Sequence, residues 1–200
     1  MPGVSSQATP PLVLASTSAY RRARLARLRL EFDCVPPDTD ETPLPGETPP
    51  ALARRLARLK AESVAAGRPE SVVVGSDQVA LLGAQVLGKP GTIERCIAQL
   101  RESSGRELLF LTAVHLVGPR GATVESHLDR TVVRFRRLDD AEIARYVSAE
   151  QPLDCAGGFK AESLGISLFE RIESEDPTGL TGLPLIWLCG ALRRAGIPVP

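Results

Sequence analysis

Paired soft metal ligands are scarce in this 200-residue chain. Its four cysteines, Cys34, Cys96, Cys155 and Cys189, lie far apart with no CxxC pair, which excludes a zinc or disulfide framework and reads as reduced thiols. The two histidines, His115 and His127, have no helical metal-motif spacing and are read as strand or surface residues. An excess of one charge is also missing: Lys+Arg and Asp+Glu both number 24. A protein that coats nucleic acid by neutralising many phosphates would be basic, so a polymer partner is not expected, while a small anion remains open. No apolar run approaches the ~20 residues needed to span a bilayer, and MPGVSSQATPP lacks the charged and apolar regions of a secretory signal. The expectation is a cytoplasmic protein with no membrane contact.

What is present is an alternation of strand and helix signals, as in an α/β domain. Residues 1–11 are expected to be a disordered tail and 12–197 the domain. Leu12 to Ala15 reads as a strand, and Ala19 to Leu30 as a helix capped by Ser18. The segment 31–50, rich in proline and acid, reads as an extended loop. Thr48-Pro49-Pro50 then starts a second helix, which stops at Gly67. Ser71 to Val74 reads as a strand ending at Gly75-Ser76-Asp77, and Thr92 to Glu102 as a third helix. Leu108–Val117 and Val124–Phe135 pair around Gly118-Pro119-Arg120-Gly121. Asp139 and Glu142 form a capping box for a helix through Val147. Ile166–Ile172 reads as a strand, and Pro184–Ala195 as a final helix with Gly196 as its C-cap.

Several stretches could carry chemistry. In LASTSAYRR, Leu14 to Arg22, hydroxyls and two arginines crowd a helix N-terminus, where cations are mildly unfavourable. A bound phosphate would resolve that conflict; arginines turned to solvent would account for it equally well. In VVVGSDQV an aspartate, Asp77, follows an apolar strand, where open α/β sheets bind ligands, and Gly75 would let a ligand approach the backbone. The alternative is a turn-capping Asp. Leu87-Gly88-Lys89-Pro90 is no Walker A loop and by itself reads as a turn. Lys60 lies ~40° from Leu56, at the border of an apolar helix stripe, either snorkelling or reaching a site. Asp38, Asp40, Glu41 and Asp77 offer oxygen donors that suit Mg²⁺ or Mn²⁺, unless the loop is merely solvated.

Taken in order, these stretches resemble the Maf family of nucleotide pyrophosphatases. The family pattern LASxSPRR, a DE pair, a helical Lys, GADTVV, GKP, SGR, an AGAYGIQG-like segment and GLPL appears here throughout. The matching pieces are LASTSAYRR, Asp40-Glu41, Lys60, GSDQVA, Gly88-Lys89-Pro90, Ser104-Gly105-Arg106, CAGGFKAES from Cys155 and GLPL from Gly182. The resemblance implies an elongated single domain, with a mixed twisted sheet flanked by helices and a cleft between two lobes. It implies hydrolysis of a nucleoside triphosphate to monophosphate and pyrophosphate with a divalent metal, and points to a homodimer.

Carried over by position, Asp77 is the general base, Glu41 and Asp77 hold the metal, and Ser16, Ser18, Arg21, Lys60 and Lys89 bind the substrate. With a metal and two lysines beside it, Asp77 is expected to stay ionised. Family members acting on pyrimidine nucleotides have Arg, Thr and Gln where this chain has Tyr20, Gln78 and Glu162. That set resembles the branch acting on 7-methyl-GTP. A glutamate only accepts, which suits the N1–H and N2–H₂ donors of guanine, and an aromatic face attracts the cationic methylated base. Ala19 replaces the family proline and, as a good helix former, should leave the turn intact. The alternatives are a dTTP, UTP or CTP pyrophosphatase, and a nucleotide-binding regulator of cell division without catalysis.

Overall fold

The four residues Leu12–Ala15 are all buried and form β1, the first strand of a computed structural model that describes residues 9–122 and 124–200. The disordered tail expected over 1–11 falls largely outside the described residues; Pro11 already accepts from the Val72 N–H at 2.8 Å. The elements that follow are α1 (Ala19–Ala26), β2 (Asp33–Val35), α2 (Pro49–Ala65), β3 (Val72–Leu82), β4 (Gln85–Leu87) and α3 (Ile93–Ser103). Then come β5 (Glu107–Val117), β6 (Val124–Phe135), α4 (Asp140–Glu150), β7 (Phe169–Ser174) and α5 (Leu185–Arg194). They build a mixed α/β domain around one seven-stranded sheet, six strands in the order β2-β1-β3-β5-β6-β7 and β4 paired to β3 off that path. β1 is parallel to both neighbours, and the remaining pairs are antiparallel.

The expected capping residues act as written. Ser18 accepts from the Arg21 N–H at 3.4 Å, so α1 begins at Ala19 without the family proline. At α4 both halves of the capping box form: Glu142 N–H donates to Asp139 Oδ1 at 2.7 Å, and Asp139 N–H to Glu142 Oε2 at 3.0 Å.

Six expectations change, five of them local. The loop 31–50 contains β2, whose largely exposed residues carry no apolar signal but pair with β1 at the sheet edge. β4 was not foreseen, being three residues long. α1 ends four residues early, with Arg29 in the left-handed region (φ 55°). Leu164–Leu168 is a 3-10 turn, and the strand begins only at Phe169. The cap of α5 is Ala195, and Gly196 (φ 86°) follows it.

The largest change concerns β3. The strand does not end at Asp77; it runs on to Leu82, paired with β5 from Val73 to Leu82. With β5 along one edge, β1 and β4 must share the other, β1 at Val72–Gly75 and β4 at Ala80–Leu82. Residues 76–79 therefore have no strand partner on that edge. Alternation sends Val73, Asp77 and Leu81 to the face covered by α2, and Val72, Val74, Ala80 and Leu82 to the other. On that second face, Val72 and Val74 pack with α5, while Ala80 and Leu82 pack with α3 and α4. Two apolar lobes meet beside the gap at 76–79, and the cleft expected between lobes lies there.

Candidate active site

Asp77 sits in the middle of β3, within the gap, and points to α2. Lys60 comes from α2 onto the same spot and is 6% exposed, so the border position read from its helical angle resolves inward. Its Nζ lies 2.7 Å from Asp77 Oδ1 and 2.7 Å from Glu41 Oε1. Burial raises the Asp77 pKa above its ordinary value; the Lys60 and Arg21 cations pull it back, and Glu41 pushes it up. The expectation of two lysines beside Asp77 is corrected: Lys60 alone touches it, and Lys89 stands exposed on the loop after β4. That loop is held by Gln99 Nε2 on Gly88 O (3.1 Å) and by Gly91 N–H on Leu153 O (2.9 Å).

Gly75 serves α2, not a ligand. A Cβ there would overlap the Ala57 carbonyl and the Ala61 backbone, so the glycine lets the helix lie directly on the strand and brings Lys60 to Asp77.

The start of α1 forms the opposite wall. Ser16 is buried, and its Oγ accepts from the Ser18 N–H at 3.1 Å. Both Ser16 and Ser18 use an acceptor lone pair locally and keep an O–H to donate. Arg21 turns inward and donates from Nε to Gly182 O at 3.2 Å. Burial draws its pKa down while Asp77 and Glu41 hold it up, and from so high a starting value the guanidinium stays charged. Arg22, expected beside it, lines a separate, smaller depression with Cys34 and Pro36.

The remaining predicted residues close the far end. Tyr20 Oη donates to Asp154 Oδ1 at 3.3 Å and accepts from the Cys155 thiol at 3.4 Å. Burial, then Cys155 and Asp154, raise the Tyr20 pKa, so the phenol stays protonated. Gln78 Nε2 donates to Thr112 Oγ1 (2.8 Å), Leu180 O (3.0 Å) and Gly179 O (3.2 Å), which leaves its Oε1 as the available group. Glu162 is exposed and makes no hydrogen bond or ion pair among the described residues. Its loop is pinned on both sides: Lys160 N–H donates to Tyr146 Oη at 3.0 Å, and Leu164 N–H to Glu150 Oε2 at 3.1 Å.

All ten side chains assigned a role through the resemblance, Tyr20, Gln78 and Glu162 among them, line a single cavity of about 730 Å³. Of the acidic loop, Glu41 alone reaches it; Asp40 accepts from the Thr42 N–H at 2.9 Å, and Asp38 does not line the cavity. His115 and His127 also stay outside: His115 is buried with Nδ1 2.6 Å from Ser126 Oγ, and His127 stacks on Trp187. Residues that sequence reasoning passed over complete the lining, chiefly Phe110 and Leu180, beside Gly182 of the GLPL stretch. Phe110 could have been flagged by its place in β5 opposite Ala80, once β3 was known to continue.

Among the described residues no cluster of three or more potential metal ligands occurs. The two carboxylates of Asp77 and Glu41 are hard oxygen donors, each with a second oxygen not bonded to Lys60. Such a pair fits Mg²⁺, which keeps waters and shares its coordination with substrate phosphates.

A family model described as "Maf-like protein" matches residues 11–195. A protein of Xanthomonas campestris pv. campestris (strain 8004), named 7-methyl-GTP pyrophosphatase, is 56% identical over 191 residues, covering 96% of this chain and 99% of that one. The protein of that name from Xanthomonas axonopodis pv. citri (strain 306) is 57% identical over 192 residues, covering 96% and 100%. One from Thiobacillus denitrificans is 52% identical over 194 residues, covering 97% and 96%. Among solved structures, a HAM1 protein from Coxiella burnetii is 18% identical with a TM-score of 0.45, covering 76% of this chain and 88% of that one.

Proposed function

The chain belongs to the Maf family, and from that premise we propose that it hydrolyses 7-methyl-GTP to 7-methyl-GMP and pyrophosphate. The observation that carries the reading is the Asp77–Lys60–Glu41 contact, 2.7 Å on each side of Nζ, in the same cavity as Arg21. Polyphosphate hydrolysis needs positioning and charge neutralisation more than a covalent nucleophile, and the cavity offers both.

In this reading Ser16, Ser18, Arg21, Lys60 and Lys89 bind the phosphates through O–H and N–H donors. Asp77 takes a proton from the attacking water; a phosphorus–oxygen bond forms to that water, and the bond linking the α- and β-phosphates breaks, its electron pair leaving with pyrophosphate. The Lys60 and Arg21 cations favour the ionised form of Asp77, the form that can accept a proton. Glu41 and Asp77 would hold Mg²⁺ or Mn²⁺, which supplies further charge neutralisation when bound. Glu162 accepts from the guanine N–H groups, Gln78 presents Oε1, and the Tyr20 ring faces the cationic base. A role in clearing a modified nucleotide, a cytoplasmic location and a homodimer belong to the same proposal. No helix among the described residues is long and apolar enough to cross a membrane.

The test is Mg²⁺-dependent pyrophosphate release from 7-methyl-GTP, GTP, dTTP and UTP, with Asp77→Asn as control. The expected result is fastest release from 7-methyl-GTP and none from the variant. Faster release from dTTP or UTP would replace the substrate, and nucleotide binding with no release would favour the regulator.

A further inference from the structure

Arg21 carries five N–H donors, and the structure spends one of them. Its Nε–H is held by Gly182 O at 3.2 Å, while both Nη groups have no protein acceptor among the described residues. The same carbonyl accepts a second bond, 2.9 Å long, from Ser76 Oγ. Ser76 is fully buried, adjacent to Asp77 in β3, and strand alternation turns it to the opposite face. The two lone pairs of one carbonyl thus join the strand that carries Asp77 to the arginine at the start of α1.

Gly182 is itself fixed. It follows the 3-10 turn Gly179–Thr181, whose carbonyls are held by Thr112 Oγ1 on Gly179 O (2.9 Å) and by Gln78 on Gly179 and Leu180. Gly182 has φ +91°, a left-handed backbone conformation that favours glycine, while a Cβ there would meet Arg21 Nε only at an ordinary contact of 3.4 Å. The turn hangs from β3 and β5 by three side chains, and the arginine hangs from the turn.

We propose that Ser76 is a positioning residue: through Gly182 O it aims the Nη edge of Arg21 at the phosphates of the substrate. Holding Nε leaves the two Nη groups as a fork matched to phosphate oxygens. Fixing the long side chain before binding removes an ordering cost that the ligand would otherwise have to meet. The proposal rests on the cavity being a phosphate site, but not on which nucleotide it takes.

A double-mutant cycle separates positioning from a purely structural hydroxyl. Calorimetric binding of inorganic pyrophosphate with Mg²⁺ is measured for the wild type, Ser76→Ala, Arg21→Met and the double variant. Ser76→Ala should weaken binding about fivefold in the wild-type background and less than about twofold in Arg21→Met, while lowering the melting temperature equally in both. With nucleotide, KM should rise more than kcat falls. Equal loss of binding in both backgrounds, no loss from Ser76→Ala, or no pyrophosphate binding by the wild type would each overturn the proposal. Should Ser76→Ala not fold, Ser76→Cys, a weaker donor at similar volume, is read in the same way. Pyrophosphate binding needs no turnover, so failure of the substrate assignment and failure of this relay are told apart.

Discussion

Lys60 Nζ and Asp77 Oδ1 are 2.7 Å apart, with side chains only 7% and 11% exposed. Removing one partner of such a pair strands the other, yet the two removals are not equivalent. Glu41 also touches Lys60, so Asp77→Asn leaves the ammonium with a carboxylate. Lys60→Met instead leaves Asp77 buried without its closest cation. Asp77→Asn should therefore stay within about 1–2 kcal/mol of wild type while losing at least ~10²-fold in turnover. Lys60→Met should lose about 3–5 kcal/mol in urea denaturation. Comparable stability of the two variants would contradict this ordering.

Gly75→Ala tests how the pair is assembled. The added methyl would run into the Ala57 carbonyl of α2, which is backbone and cannot rotate aside. The helix must shift away from β3 and take Lys60 with it. A destabilisation of about 1–3 kcal/mol is expected, as in overpacked cores. Activity at a temperature where the variant is folded should fall as well. Full activity with reduced stability would mean that the Lys60–Asp77 distance survives the shift.

Part of the cavity was legible from local chemistry, whereas Lys89, Tyr20, Gln78 and Glu162 were reached only through the resemblance to the Maf family. Ser18 announces a cap, Lys60 breaks an apolar stripe, and Asp77 follows an apolar run. What brings them together was less legible. VVVGSDQVALL reads as a strand that ends at its glycine, since a glycine and an aspartate weaken strand propensity; pairing with β5 over ten positions overrides that. The gap at residues 76–79 depends on where β1 stops and β4 starts, and three-residue β4 leaves no periodic signal. By spacing alone Arg21 and Arg22 are equivalent; the resemblance selected Arg21, and the structure gives the physical reason in Gly182, 161 residues away.

The acidic loop should be released by acid. Glu47 accepts from Arg55 Nε at 2.6 Å and Nη2 at 2.8 Å, and Arg55 holds its pKa down at about 2, from an ordinary 4.5. A carboxyl with a depressed folded-state pKa adds stability that is fully present above 4.5 and fades as pH falls toward 2. Arg55 Nη2 also bonds Thr42 O at 3.0 Å, one residue after Glu41, so the bridge ties the loop to α2. Glu47→Gln should melt below wild type at pH 6, and the gap should close near pH 2. A gap independent of pH would show that the carboxylate charge contributes nothing.

Selectivity should divide between Tyr20 and Glu162 by chemistry. The Tyr20 hydroxyl is committed to Asp154 and Cys155, so only its ring is left for a base. Tyr20→Phe should therefore keep the preference for 7-methyl-GTP over GTP. Tyr20→Leu should reduce that preference by about 2- to 30-fold, the equivalent of the ~0.5–2 kcal/mol that a cation gains over an aromatic face. Among the described residues Glu162 has no protein partner, and its accepting oxygens suit the N–H donors that both guanine nucleotides share. Glu162→Gln should then lower kcat/KM for 7-methyl-GTP and GTP alike, by more than about tenfold, and spare UTP. One variant would change the methyl discrimination, the other the purine discrimination. If both substitutions moved the same ratio, the two side chains would not read separate features of the base.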